Sequence, residues 1–129
     1  MAGYTIVNMN DLDDSAAGRN GVEARFGRRH LDSEHLGVSV LRYEPGHRNT
    51  LGHRHREQEE AYLVVSGSGR IKLDDDIVDL RPWDVVRVAP PTIRAFEAGS
   101  GGIEIVAIGS DRPEGGDGVR VPDWWPAGP

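Results

Sequence analysis

No cysteine occurs among the 129 residues, which excludes a disulfide framework and any thiolate ligand or nucleophile and leaves the redox compartment unmarked. Lysine occurs once, at Lys72, and the arginines are spread along the chain instead of gathered in a tract. With a formal net charge of -6, no basic stripe is on offer, so nucleic acid is not an expected partner. Long apolar runs are missing as well. No stretch approaches the length of a membrane span, and the N-terminus lacks a basic region followed by an apolar segment, so no membrane partner is expected and a cytoplasmic protein is the default. Helical periodicity is missing too: apolar residues do not recur at helical spacing over any long segment. Aromatic residues make up only 6% and hydrophobic residues 37% of the chain, enough for one small core and not for two domains.

What is present is a series of short extended segments punctuated by glycine and proline. The clearest alternation runs from Leu36 to Tyr43 and ends at the turn Pro45-Gly46. Ala61 to Val65 is a β-branched and aromatic run closed by Ser66-Gly67-Ser68-Gly69. Arg70 to Leu73 and Ile77 to Leu80 flank Asp74-Asp75-Asp76, which suits a hairpin tip. That acidic triplet lacks the ligand spacing of a calcium loop and reads as a solvated turn. With Val85 to Val88, Arg94 to Glu97 and Ile103 to Ile108, about eight or nine short strands predict an all-β barrel or sandwich. Residues 1–20 form a polar arm in which only Tyr4-Thr5-Ile6-Val7 could pair as a strand, including on a second subunit; residues 21–109 form the barrel. Residues 110–129 form an irregular tail, whose Trp124-Trp125 pair is expected to pack over an apolar surface of the barrel or of a partner in a homodimer.

The chemistry concentrates in Gly52-His53-Arg54-His55, followed by Glu60 and, after six further residues, Gly67. Histidines at i and i+2 on a strand project from one face. Imidazole and carboxylate together form a ligand set suited to zinc, iron, manganese, nickel or copper. If Glu60 opens the antiparallel neighbour of the histidine strand, the short Arg56–Glu59 link folds the carboxylate back beside both imidazoles. Glu59 competes for that role, but only Glu60 leaves the six-residue run to Gly67. Tyr62 shares Glu60's face by strand alternation, and it is read equally as a cavity hydroxyl and as a core tyrosine. His30 and His35 read as surface residues, and His47 as a candidate for holding a ligand from behind.

This stretch resembles the first motif of the cupin superfamily: a histidine pair, a short gap, a glutamate, six residues and a glycine. Downstream, Leu80-Arg81-Pro82-Trp83-Asp84, then Val85 to Val88 and Ala89-Pro90-Pro91-Thr92-Ile93-Arg94-Ala95-Phe96, resemble the second. The matched region spans residues 46 to about 97. The resemblance implies a small single-domain jelly-roll barrel with a metal site in its mouth. It leaves the reaction open, oxygenase and isomerase types both being represented among cupins.

Two departures matter. Trp83 stands where the motif has glycine, so the turn lacks a residue that adopts positive φ freely. Arg94 stands where a fourth ligand, histidine, would be. Arginine stays protonated and only donates; from ~5 Å, its repulsion of a divalent ion at an effective dielectric near 20 is roughly 6 to 7 kcal/mol. Three arrangements remain open. Arg94 turns away and leaves a three-ligand site of His53, His55 and Glu60; or it binds an anionic ligand; or it pairs with Glu60 in place of a metal. The expected function is a barrel that holds a divalent metal through these three residues and binds a small polar or anionic molecule beside Arg94, Tyr62 and Phe96. The alternative is a metal-free binding or sensing module.

Overall fold

The computed structural model describes residues 3–126. Among them are eight strands: β1 (Val22–Phe26), β2 (Gly37–Tyr43), β3 (Gly52–His55), β4 (Glu60–Leu73), β5 (Asp76–Leu80), β6 (Val85–Val88), β7 (Arg94–Gly109) and β8 (Gly118–Val121), with one 3-10 turn at Met9–Asp11. All pairings are antiparallel. The chain is all-β, as its alternating short segments predict.

The two long strands build the barrel. The first half of β4 and the second half of β7 pair with each other and carry β6 on one flank and β2, then β1, on the other. Their remaining halves also pair, now flanked by β5 and by β3, then β8. The register shifts between Val64 and Ser66 and again between Gly67 and Gly69. Such irregularities bend a strand, so β4 and β7 pass from one sheet into the other. Gly67 sits at that bend with φ +75, and a Cβ there would drive into the Gly102 carbonyl; glycine is required there both for its φ and for the close approach. Between the sheets lies the core, with Tyr62, Val64, Ile71, Val88, Phe96 and Ile105 buried.

Three expectations need correction. The histidine strand is not the hairpin neighbour of the glutamate strand: β3 pairs with β7 and β8, and β4 with β5, β6 and β7. Among the described residues, Tyr4 to Val7 pair with no strand of their own chain, and Tyr4 and Ile6 lie exposed. The tail is less irregular than its composition suggests. It contributes β8, whose Gly118 to Val121 pair with His55 to Gly52. The tryptophan pair then seals the outer surface of the barrel and does not lid its mouth. Trp125 donates from Nε1 to the Asn49 carbonyl at 2.8 Å, and Lys72 Nζ sits 3.5 Å from the centre of the Trp124 ring.

Trp83 shows how the chain manages without its expected glycine. It adopts φ +75 itself and is 72% exposed, in a turn closed by Asp84 N to the Arg81 carbonyl (3.1 Å) and Arg81 N to the Asp84 carboxylate (2.9 Å) and tied to β4 by Trp83 N to the Val64 carbonyl (2.8 Å). A left-handed backbone costs a residue with a Cβ about 1–2 kcal/mol, and glycine's extra unfolded-state freedom offsets part of the relief. Trp83→Gly is therefore expected to raise stability by about 1 kcal/mol, read as a higher urea midpoint at unchanged slope. A lower midpoint would show that the indole contributes more than the turn costs.

Candidate functional site

Although β3 and β4 are not paired, His53, His55 and Glu60 converge across the barrel interior. One ligand atom from each lies within 4.8 Å of the others. His55 Nε2 is 2.9 Å and His53 Nε2 3.5 Å from Glu60 Oε1, and the two rings meet edge to face at 5.2 Å. Strand alternation places both imidazoles on the inner face of β3. Gly52, between them and the tail, leaves room on the outer face for Trp124.

Glu60 Oε1 is heavily engaged. It accepts from Tyr62 Oη at 2.6 Å and from Arg94 Nη2 at 2.9 Å besides facing both histidines. Burial alone would push this carboxyl up; the hydrogen bonds from His53, His55 and Tyr62 prevail and hold it far below the usual carboxylate range. Burial, reinforced by the Glu60 charge, keeps the Tyr62 hydroxyl protonated well above the ordinary phenol value. Phe96 packs edge-on against Tyr62, with ring centres 5.0 Å apart, so both residues serve as cavity wall and core.

Arg94 is sealed in, with 0% of its surface exposed. Its guanidinium donates to Glu60 Oε1 (2.9 Å), Tyr62 Oη (3.2 Å) and the carbonyls of Pro90 (3.2 Å) and Thr92 (2.6 Å). It is not among the residues lining the cavity, and its guanidinium turns toward Glu60. His47 is not part of this cluster; it stacks on Tyr43 at 5.5 Å. His35 pairs at the surface with Asp111.

One residue has no precursor in the motif reading. Asp117, just before β8 and 6% exposed, accepts from His55 Nδ1 at 2.8 Å and from the backbone N–H groups of Glu57 (2.7 Å) and Gln58 (2.8 Å). Burial opposes its charge, but the two backbone donors and His55 overcome that and lower its pKa to about 2. His55 in turn loses basicity to burial and regains more from Glu60 and Asp117, ending above the ordinary histidine value. An imidazole whose Nδ1–H is held by a carboxylate presents Nε2 in fixed orientation, the arrangement that supports a metal ligand.

The donor set therefore fits a divalent ion held by three side chains. Arg94 has no lone pair to give, and the Tyr62 hydroxyl is already engaged, donating to Glu60 and accepting from Arg94, so further ligands would come from water or a bound molecule. The cluster opens on a cavity of about 640 Å³, whose wall includes His53, His55, Glu60, Tyr62 and Phe96, within the range of small-molecule sites.

The sequence matches the cupin domain family over residues 39–108. Among solved structures, a cupin protein from Bacteroides fragilis has a TM-score of 0.72 at 23% identity, covering 88% of this chain and 89% of its own. A variant of oxalate decarboxylase from Bacillus subtilis has a TM-score of 0.75 at 24% identity, covering 91% of this chain and 33% of its own; that enzyme carries Mn(II) centres. KdgF from a Halomonas species has a TM-score of 0.69 at 18% identity, covering 86% and 96%. At these identities the likeness shows the fold, and this chain spans about a third of the oxalate decarboxylase chain. No curated protein matches the sequence.

Proposed function

The chain belongs to the cupin domain family, and on that premise we propose that it holds a divalent transition metal through His53, His55 and Glu60 and binds a small polar or anionic molecule in the adjoining cavity. The observation that carries this reading is the convergence of the three ligand atoms within 4.8 Å, with His55 held from behind by Asp117. A divalent ion there would supply Lewis acidity toward an oxygen of the bound molecule. The chain's own residues do the rest. Asp117 fixes the His55 ring, Tyr62 and Arg94 restrain Glu60, and Phe96 with Tyr62 gives the cavity an apolar wall that restricts water.

A second reading has its own support. Arg94 Nη2 and His55 Nε2 each lie 2.9 Å from Glu60 Oε1, so the cluster is already compensated in charge, as a metal-free binding module would require. Metal content separates the two. Protein purified without added metal is expected to carry about one ion per chain by elemental analysis, with anomalous scattering placing it between His53, His55 and Glu60. The double substitution His53→Ala with His55→Ala is expected to remove it. A metal-to-protein ratio that survives that change, or wild-type protein that takes up no metal on loading, overturns the metal reading and favours the second.

A further inference from the structure

Beyond the histidine cluster, the same cavity is lined by Arg19, Arg28, Arg112 and Arg120, while Glu60 is the one carboxylate among its described lining residues. This runs against the formal net charge of -6. Elsewhere in the molecule Arg25, Arg42, Arg48, Arg70, Arg87 and Arg94 are each ion-paired, and Arg29, Arg54, Arg56 and Arg81, outside the cavity wall, have no carboxylate partner among the described residues. None of the four cavity arginines has a carboxylate partner among the described residues.

Arg28 is the one that the fold builds in. Gly37 on β2, Gly109 on β7 and Glu60 on β4 stand in one row across three adjacent strands. A Cβ at Gly37 would lie 2.6 Å from Arg28 Nη2, and one at Gly109 would collide with the Gln58 carboxamide. Two glycines thus clear a floor on which the guanidinium and carboxamide lie side by side, in line with Glu60. Arg28 Nη2 is anchored by the Ser110 carbonyl at 2.6 Å, a neutral acceptor, and no carboxylate among the described residues is ion-paired with it. Burial and the neighbouring Arg112 lower its pKa from the ordinary arginine value, and the charges of Asp111 and Glu60, neither of them ion-paired with it, restore only part. The carboxamide lies over Gly109, the direct strand partner of Glu60, and the guanidinium lies between Gly109 and Gly37, so this floor begins one interstrand spacing, roughly 5 Å, from the Glu60 backbone and extends away from it.

We propose that Arg28, with Gln58 beside it, is the subsite for an oxyanion group of the bound molecule, so that the cavity selects a small acid bearing a carboxylate or phosphate at the end remote from His53, His55 and Glu60. This rests on the cavity's being a ligand site and not on the metal. A guanidinium offers such a group paired, charge-assisted hydrogen bonds, and the carboxamide adds a neutral donor.

The test is calorimetric titration of the whole protein with succinate, glutarate and adipate as carboxylate probes, glycerol 3-phosphate as the phosphate probe and succinamide as the neutral control. At least one acid is expected to saturate the protein while succinamide does not, and the winning arm identifies the oxyanion. Arg28→Gln is expected to weaken that acid roughly tenfold or more, whereas Arg29→Gln, an exposed neighbour outside the cavity wall, leaves it unchanged. The proposal is overturned if no acid binds better than succinamide, or if Arg28→Gln leaves the affinity intact. Repeating the titration on the His53→Ala, His55→Ala protein keeps the two readings apart. Arg28 dependence that persists there upholds the oxyanion subsite whatever the metal content proves to be, and its disappearance there overturns a subsite independent of the metal.

Discussion

Replacing Arg94 by histidine is expected to tighten divalent-metal binding at the His53, His55 and Glu60 cluster by about 100-fold or more, or roughly 2.7 kcal/mol. Two effects act together: a fixed positive charge leaves the surroundings of the ion, and a lone-pair donor replaces a group that can only donate. The gain falls short of the full Coulomb repulsion because Glu60 already neutralises part of the guanidinium charge at 2.9 Å. The substitution has a cost in the metal-free state. Arg94 serves the Pro90 and Thr92 carbonyls as well as Glu60 and Tyr62, and removing one partner of a buried ion pair costs about 3–5 kcal/mol. Urea unfolding in chelator is therefore expected to show a less stable variant, and unfolding in excess metal a partial recovery. Arg94→Lys separates charge from geometry, since it keeps the cation and loses the fork: it should lose stability without gaining affinity. If competition against a chromogenic chelator gives the same affinity for Arg94→His as for wild type, the guanidinium is not what weakens the site.

The ease with which this cluster is read from sequence reflects how local its pieces are. His53 and His55 share a face because a strand has period two, and Glu60 is identified by its spacing to a glycine that the bend at Gly67 needs for φ and for clearance. Strand partnership is not local in that sense. A four-residue link between two extended segments looks like a hairpin, yet β3 runs into one sheet and β4 begins in the other, and the imidazoles reach Glu60 across the interior. Asp117 is illegible for the same reason carried further. It meets His55 from 62 positions away, in a stretch whose glycine, proline and aspartate suggest only a loop, and no periodicity marks it as the end of a strand. Arg28 likewise carries no motif. Its position depends on a glycine pair, Gly37 opposite Gly109, that only strand register reveals.

Arg94 and Asp117 press on the cluster from opposite sides, and the balance between them sets what the cluster can hold. Arg94 attracts Glu60 and repels a metal. Asp117 attracts the proton on His55 Nδ1 and so turns Nε2 toward the position that a metal would take. When His55 is protonated on both nitrogens it bridges Asp117 and Glu60, and binding an ion there releases one proton. The two carboxylates thus serve either state without rearrangement of the strands.

Asp117→Ala is accordingly expected to lose both stability and metal. Its carboxylate satisfies two backbone N–H groups, at Glu57 and Gln58, and one imidazole. Leaving these without an acceptor costs about 3 kcal/mol in all, because Gln58 and His55 are poorly hydrated while the exposed Glu57 finds water. The loss of the group that orients His55 is expected to weaken metal binding roughly 10- to 100-fold. Asp117→Asn divides the two roles: its amide oxygen keeps an acceptor for the backbone, so most of the stability should return, while the weaker grip on His55 leaves metal affinity low. Acid titration in chelator adds an independent readout. Because the folded pKa of Asp117 is depressed to about 2 from 3.8, its contribution is fully present above about pH 4 and disappears as pH falls through about 2. Wild-type protein should lose roughly 2 kcal/mol across that interval on this account, and Asp117→Asn should show a shallower decline. Equal acid slopes in the two proteins, together with unchanged metal affinity, would show that Asp117 closes a loop and does nothing for the site.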